Sequence, residues 1–328
     1  MGKIQIGSAI AEPGQRGNGY LDVATYMDGS PVRIPVIILN GAKPGPKLLI
    51  QGCIHGNEFC GALGILQVSR ELKPQEMAGA LIGLPAINIT AFIEEKRYSP
   101  FNYWGAADLN RAFPGRENGN FNEIMAYNIL KVVIKNADYF IDCHTGNHPD
   151  TRWAICDDDG TETGTKSCQL AQAFGFDLVY PCNPETFKGE LSGIKNALFH
   201  HTTKHKIPSI IVEAGGSGEL VTSEAVSALS EGIKNVMKYL TILDEPFSIK
   251  GEYTAIKDFS WIWAPYGGRF APTIKVREKI KKGQIIGSIF SFFEEELTLK
   301  APADGVVLAL SKKPFVTAGD LVTEIGML

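Results

Sequence analysis

The 328-residue sequence contains six histidines, and two of them end apolar, strand-like runs. Lys47-Leu-Leu-Ile-Gln-Gly-Cys-Ile-His55 leads into Gly-Asn-Glu58, and Tyr139-Phe-Ile-Asp-Cys-His144 leads into Thr-Gly. His55 and Glu58 stand three apart at a loop-to-helix junction, where one helical turn can bring their side chains together. Imidazole nitrogen and carboxylate oxygen both suit zinc at about 2.0–2.2 Å, and two His plus one Glu leave a fourth position for water, the pattern of a catalytic site. His55, Glu58 and His144 are therefore the candidate metal ligands. For a lone HxxE pair the plainer alternative, a helix-capping or hydrogen-bonded core histidine, would prevail. A second strand-end histidine and a strand-end acid tip the balance. That acid is Glu213, in Ile207-Pro-Ser-Ile-Ile-Val-Glu-Ala-Gly-Gly. Beside an activated water it can take a proton and pass it to a leaving amine; otherwise it is a salt-bridged strand-end acid.

Other polar residues fit around this set. Asp142, two residues before His144, shares a strand face with it. It is placed to accept the free N–H of a ligand imidazole, His55 first, and so fix the tautomer; a simple strand-end hydrogen bond is the alternative. Cys143 must point the other way, which weakens a Cys143–His144 nucleophile pair. Asp108-Leu-Asn-Arg-Ala-Phe-Pro-Gly115 offers Asn110 and Arg111 side by side, and a guanidinium fork grips a carboxylate through parallel N–H donors. Arg97 is a candidate for stabilising an oxyanion, or else a solvated loop cation. His148, His200, His201 and His205 occupy polar, loop-like or helix-end stretches and are expected at the surface. The six cysteines form no CxxC pair, and reduced, partly buried thiols are expected.

The elements that position these residues follow from periodicity. Between residues 32 and 240, apolar β-branched runs (Val32–Leu39, Lys47–Gln51, Ala80–Leu84, Tyr139–Ile141, Ile207–Val212) alternate with helix-period segments. Helices are expected over about Glu58–Leu72, over Asn122–Asn136 with Asn122 as N-cap, and over Thr222–Leu240. In the last, Val226, Leu229, Ile233, Val236 and Leu240 make one apolar stripe. Such alternation implies an α/β fold with a mixed, mostly parallel sheet and helices on both faces. Sites in such sheets gather at the carboxyl ends of strands, where His55, His144 and Glu213 all lie.

After about residue 245, glycines and short apolar runs replace the helical periods, so the division is a catalytic domain over 1–245 and a β-rich domain over 246–328. A faint repeat offset by 36 residues pairs Ile280 with Val316, Gly283 with Gly319, Ile286 with Val322 and Ile289 with Ile325. Two β-halves about a pseudo-twofold axis would explain it. This segment resembles the biotinyl/lipoyl carrier fold, an all-β barrel-sandwich. The position seven before Ala301, where carriers place a modifiable lysine, is Glu294. The segment is therefore expected to be a structural or gating domain without a swinging arm.

The net charge of -4, a pI near 5.9 and the lack of any Lys/Arg run favour neither nucleic acid nor an anionic membrane. The N-terminus lacks the apolar core of a signal peptide, and no stretch reaches the roughly 18 apolar residues of a membrane helix. A cytoplasmic protein is expected.

The motifs GxHGNE, DLNRxFPG, DCHTG and VEAGG, in this order, resemble those of the succinylglutamate desuccinylase/aspartoacylase family of zinc-carboxypeptidase-like enzymes. The resemblance covers about residues 30–328, because one branch also carries a C-terminal β-domain of this kind. It implies one zinc ion per subunit on His55, Glu58 and His144, and catalysis by Glu213. It further implies a substrate carboxylate held by Asn110 and Arg111, and a scissile carbonyl polarised by Arg97. The expected reaction is hydrolysis of the amide bond of a small N-acyl amino acid or related acyl-amine; homo-oligomerisation is left open. The rivals are a zinc carboxypeptidase acting on peptides, a non-catalytic binding protein on the same fold, and a cysteine hydrolase using Cys53 or Cys60.

Overall fold

The computed structural model describes residues 2–328 apart from 188, 250, 252 and 294, with only the backbone of 189–191. The turn position Glu294 lies outside the described residues. A small hairpin, β1 (Ile4–Ile6) and β2 (Ala9–Ala11), precedes the main sheet. That sheet is built from β3 (Gln15–Thr25), β4 (Pro31–Asn40), β5 (Lys43–Gly52), β6 (Ala78–Leu84), β7 (Tyr139–Asp157), β8 (Leu178–Cys182), β9 (Ser209–Gly216) and β10 (Thr254–Ala255). The order is β10-β8-β7-β5-β6-β4-β3, with β9 also paired to β7. Pairing from β6 through β5 to β7, and from β7 to β8, is parallel; the β3–β4 and β4–β6 pairs are antiparallel. The expected mixed, mostly parallel sheet is thus what forms.

Helices α1 (Phe59–Glu71), α2 (Ile89–Ile93), α3 (Phe121–Asn136), α4 (Glu162–Phe174), α5 (Leu198–Lys204) and α6 (Ser223–Tyr239) connect the strands. The pleat divides their cores. Leu48 and Ile50 pack with residues of α1, α4 and α6 on one face; Leu49 packs with residues of α3 and α5 on the other. Burial on both faces accounts for the near-continuous apolar run in β5. Truncating Leu49, fully buried, to alanine would cost about 2–5 kcal/mol. Four of the five α6 stripe residues, Leu229, Ile233, Val236 and Leu240, are buried, and Val226 is half-buried.

The start of α3 differs from expectation. Its N-cap is Asn120, which forms a capping box with Glu123, and the helix begins at Phe121. Asn122 instead donates to the carbonyls of Ala106 and Ala107. A capping residue two positions upstream had the better geometry because its side chain reaches the Glu123 N–H while Glu123 reaches back.

Strand β7 is unusually long because it serves twice. Its first part matches β9 from Phe140 opposite Ser209 to His144 opposite Glu213. Its second part returns along the same strand, with Arg152 opposite Ala214 and Cys156 opposite Ile210. Strand β9 is therefore flanked on both sides by one continuous run of chain.

The C-terminal segment forms two four-stranded antiparallel sheets. One is β11 (Asp258–Trp263), β18 (Leu321–Met327), β16 (Gly305–Leu310) and β13 (Lys279–Ile280); the other is β15 (Leu297–Lys300), β14 (Ile285–Phe290), β12 (Gly268–Pro272) and β17 (Phe315–Val316). The repeat is real in three dimensions. Gly283 and Gly319 both take left-handed turns, at φ +81° and +84°, a conformation glycine adopts at little cost. Gln284 and Asp320, again 36 apart, close those turns on the N–H groups of Lys281 and Thr317. Ile286, Ile289, Val322 and Ile325 meet in one core.

The expectation of reduced cysteines fails at one pair. Cys156, at the end of β7, is disulfide-bonded to Cys168 in α4, while Cys53, Cys60, Cys143 and Cys182 are free and buried. Twelve residues separate the pair in sequence, and only the packing of α4 against β7 brings them together. No helix among the described residues is long and apolar enough to cross a membrane.

Candidate metal centre and active site

Strand β5 delivers the first cluster. After Gly52 the chain passes through Cys53, at φ +52°, an uncommon conformation for a residue with a side chain. At Gly56 an added Cβ would lie 2.0 Å from the Ala91 carbonyl carbon, so the GxHGNE turn fits only glycine there. Glu58 occupies the N-cap of α1 but makes no cap hydrogen bond; its carboxylate turns inward. The parallel partner β7 delivers His144, and β9 places Glu213 directly opposite it in register. Beyond Glu213, an added Cβ on Gly215 would lie 2.8 Å from the Cys60 sulfur, so the VEAGG turn also requires glycine.

His55, Glu58 and His144 are all buried, and one ligand atom from each lies within 4.8 Å of the others. His55 Nδ1 is 2.8 Å from Glu58 Oε1, and His144 Nδ1 is 3.0 Å from Glu58 Oε2. The Thr145 N–H donates to the same Oε2 at 3.2 Å. The outer nitrogens are also engaged. His55 Nε2 is 3.2 Å from Asp108 Oδ1, and His144 Nε2 is 3.2 Å from Asp142 Oδ1. Because an ionised carboxylate only accepts, Asp142 orients the Nε2–H tautomer of His144, and Gln51 holds that carboxylate at 2.6 Å. The sequence pairing of Asp142 with His55 is corrected: Asp142 serves His144, its neighbour on the strand face, and His55 is served by Asp108.

These contacts shape the electrostatics. Burial works against ionising Glu58, but His55 and His144 hold its carboxyl well below the usual carboxylate range. His144 is pushed upward despite burial because Asp142 and Glu58 both favour its cation. Two imidazole nitrogens and a carboxylate converge within 4.8 Å of one another. A divalent cation at that point would meet the same three donors with lone pairs, so this residue set fits a zinc ion.

Arg97 lies at the edge of the cluster, 3.3 Å from Glu58 Oε1 and 3.3 Å from Asp108 Oδ2. Asn110 is buried; its Oδ1 accepts from the Leu198 N–H and its Nδ2 is 3.3 Å from His144 Nε2. Arg111 donates to the Asn110 carbonyl through Nη1. All three line a cavity of about 170 Å3 together with His55, Glu58, His144 and Glu213. The Glu213 carboxyl has no hydrogen bond or ion pair among the described residues. Burial, reinforced by the charges of Glu58 and Glu324, raises its pKa to about 8.

The lining residues that escaped the sequence reading include Ile155, Trp153, Phe259, Trp261 and Glu324. The last three belong to the C-terminal sandwich, which therefore closes over the site. A charged residue inside the apolar strand Leu321–Met327 was the one available signal. Two expected surface histidines are also corrected. His200 is buried against Asp157 at 2.5 Å, and His148 is buried with Nδ1 accepting from the Asp150 N–H; polar neighbours in sequence did not report the packing above them. The cysteine-hydrolase rival loses its chemistry. Cys53 and Cys60 are fully buried, and burial pushes both thiols up, that of Cys60 to about 11, far from a reactive thiolate.

A model of the succinylglutamate desuccinylase/aspartoacylase catalytic domain matches residues 44–240. The N-alpha-acetyl-L-2,4-diaminobutyric acid deacetylase of Halomonas elongata is 24% identical over 327 residues, covering 94% of this chain and 91% of that protein. A crystal structure of a succinylglutamate desuccinylase/aspartoacylase from Rhodobacter sphaeroides superposes with a TM-score of 0.80 at 25% identity, covering 94% of this chain and 95% of the other. A metallo-carboxypeptidase from Burkholderia cenocepacia shares the fold more distantly, with a TM-score of 0.50 at 14% identity over 67% of this chain and 63% of its own.

Proposed function

Since this chain belongs to the succinylglutamate desuccinylase/aspartoacylase family, we propose that it is a zinc-dependent deacylase hydrolysing the amide bond of a small N-acyl amino acid or related acyl-amine. The observation that carries this reading is the convergence of His55, Glu58 and His144 within 4.8 Å beside an unpaired Glu213. The division of labour proposed is a catalytic unit over 1–245 and an accessory β-unit over 246–328, with β10 of the latter span adding an edge strand to the main sheet beside β8.

A zinc ion held by His55, Glu58 and His144 would activate water and polarise the acyl carbonyl. Asp142 and Asp108 fix the imidazoles through their outer nitrogens. Glu213 takes the proton of the attacking water and gives it to the leaving nitrogen. Arg111, with Asn110 positioned behind it, holds the substrate carboxylate through its guanidinium fork. Arg97 stands beside Glu58 and supplies positive charge where the oxyanion develops.

The peptide-cleaving alternative is disfavoured by the small cavity and by the sandwich residues that cover it, because a peptide must extend beyond its scissile bond. The test is metal analysis followed by a chelator-sensitive screen of acetyl- and succinyl-amino acids against dipeptides. The acetylated diaminobutyrate named for the Halomonas relative is the first substrate to try. Cleavage of dipeptides but not of acyl-amino acids would overturn the deacylase reading.

A further inference from the structure

The cavity has an acidic wall that the proton-transfer chemistry leaves idle. Glu324 stands in β18 between the buried residues Thr323 and Ile325. Its counterpart in the internal repeat, 36 residues earlier, is Ser288; the sandwich architecture itself does not call for an acid at this position. Glu324 is the register partner of Trp261 on β11, so the two side chains share one face of the sheet. Phe259, two residues before Trp261, joins that face, with the two rings 5.8 Å apart. All three border the cavity.

Among the described residues the Glu324 carboxyl has neither a hydrogen bond nor an ion pair. Burial, aided by the Glu58 charge and opposed by Arg97, pushes its pKa up to about 7. A carboxyl in a covered cavity without a partner is costly. A ligand that brings a positive charge removes that cost. An alkylammonium matches this wall in two ways: its charge pairs with the carboxylate, and it is attracted to the faces of the flanking rings. An anionic group would be repelled, and a plain acyl chain would need the rings but not the acid. Arg111, in the same cavity lining, offers the opposite charge.

We propose that Glu324, with Trp261 and Phe259, determines specificity by selecting substrates that carry a free ammonium group as well as a carboxylate, such as N-acyl derivatives of diamino acids. The C-terminal sandwich then acts as a recognition wall of the active site. This inference rests on the amide-hydrolase reading above, and its test separates the two.

The zinc-loaded enzyme is assayed with Nα-acetyl-2,4-diaminobutyrate and with N-acetylnorvaline, which has a methyl group where the other has an ammonium. Wild type should favour the ammonium substrate by about 10- to 100-fold in kcat/KM, the worth of a hydrogen bond to a charged group. Glu324→Gln should abolish that preference while leaving N-acetylnorvaline within about threefold, since the proton-transfer groups are untouched. Glu324→Ser, which installs the residue of the repeat counterpart, gives a second variant should the first fold poorly. Equal losses on both substrates, or no preference in wild type, would overturn the proposal. Calorimetric titration with 2,4-diaminobutyrate and norvaline provides the independent arm. If neither amide is cleaved, the hydrolase reading falls, and a binding preference for the diamine lost in Glu324→Gln still supports the ammonium site. Equal binding of the two amino acids to wild type overturns the site while leaving the hydrolase reading intact.

Discussion

Replacing Glu213 with glutamine removes one charge and one proton acceptor while keeping shape. The Glu213 side chain contributes no hydrogen bond to the fold among the described residues, so the variant should fold and keep its zinc. Turnover should fall by about 10²- to 10⁴-fold, the usual contribution of a positioned general base. The same substitution has an opposite effect on stability. Burial raises the carboxyl of the metal-free protein from an ordinary 4.5 to about 8. A carboxyl whose folded pKa is raised costs stability as pH climbs from its unfolded to its folded value. At about 1.36 kcal/mol per pH unit, the upper limit of that cost is about 5 kcal/mol. The side chain opens onto the cavity, where water softens the penalty, so about 1–3 kcal/mol is expected. Urea unfolding of the metal-free proteins at pH 5 and pH 9 reads this directly. Wild type should lose stability between these values by that amount more than Glu213→Gln. Parallel pH profiles would refute the burial argument, and turnover within tenfold of wild type would refute the assignment of the base.

His55→Ala should leave the purified protein with little zinc by atomic absorption; full zinc occupancy would exclude His55 as a ligand. Asp142→Asn removes the acceptor that orients His144 and should weaken zinc binding by about 10- to 100-fold in a chelator competition. Arg111→Lys keeps the charge but loses the fork, so KM for a carboxylate-bearing substrate should rise by about tenfold or more with a smaller change in kcat; an unchanged KM would remove Arg111 from substrate binding. Cys168→Ser opens a loop closed across 12 positions, and should lower stability by about 2–4 kcal/mol under oxidising conditions and not at all in excess reductant.

Three of the four motifs were legible because they sit where apolar strand runs give way to polar residues, while DLNRxFPG stood out only by its composition. That pattern located His55, Glu58, His144 and Glu213 without any knowledge of pairing. The partners of the imidazoles were harder. Asp142 was visible on its own strand, but which imidazole it faces depends on how β5 and β7 align, and that register is fixed by long-range packing. Asp108 sat unnoticed within DLNRxFPG because it follows a loop whose path the periodicity does not describe. The roof over the cavity was out of reach for a similar reason. Trp261 and Glu324 lie 63 positions apart and meet only through the antiparallel register of β11 and β18. The 36-residue repeat, by contrast, predicted its own turns, since glycine at a left-handed position leaves a local mark.

The double passage of β7 around β9 has a mechanical meaning. Glu213 faces His144 on one side and Trp153 on the other, each tied to it by main-chain ladders from a single length of chain. The spacing of acid, imidazole and indole is thereby a property of the peptide framework rather than of neighbouring side chains. Surrounding residues are free to diversify, and the short excursion between the two arms can change length, while these three residues keep their alignment.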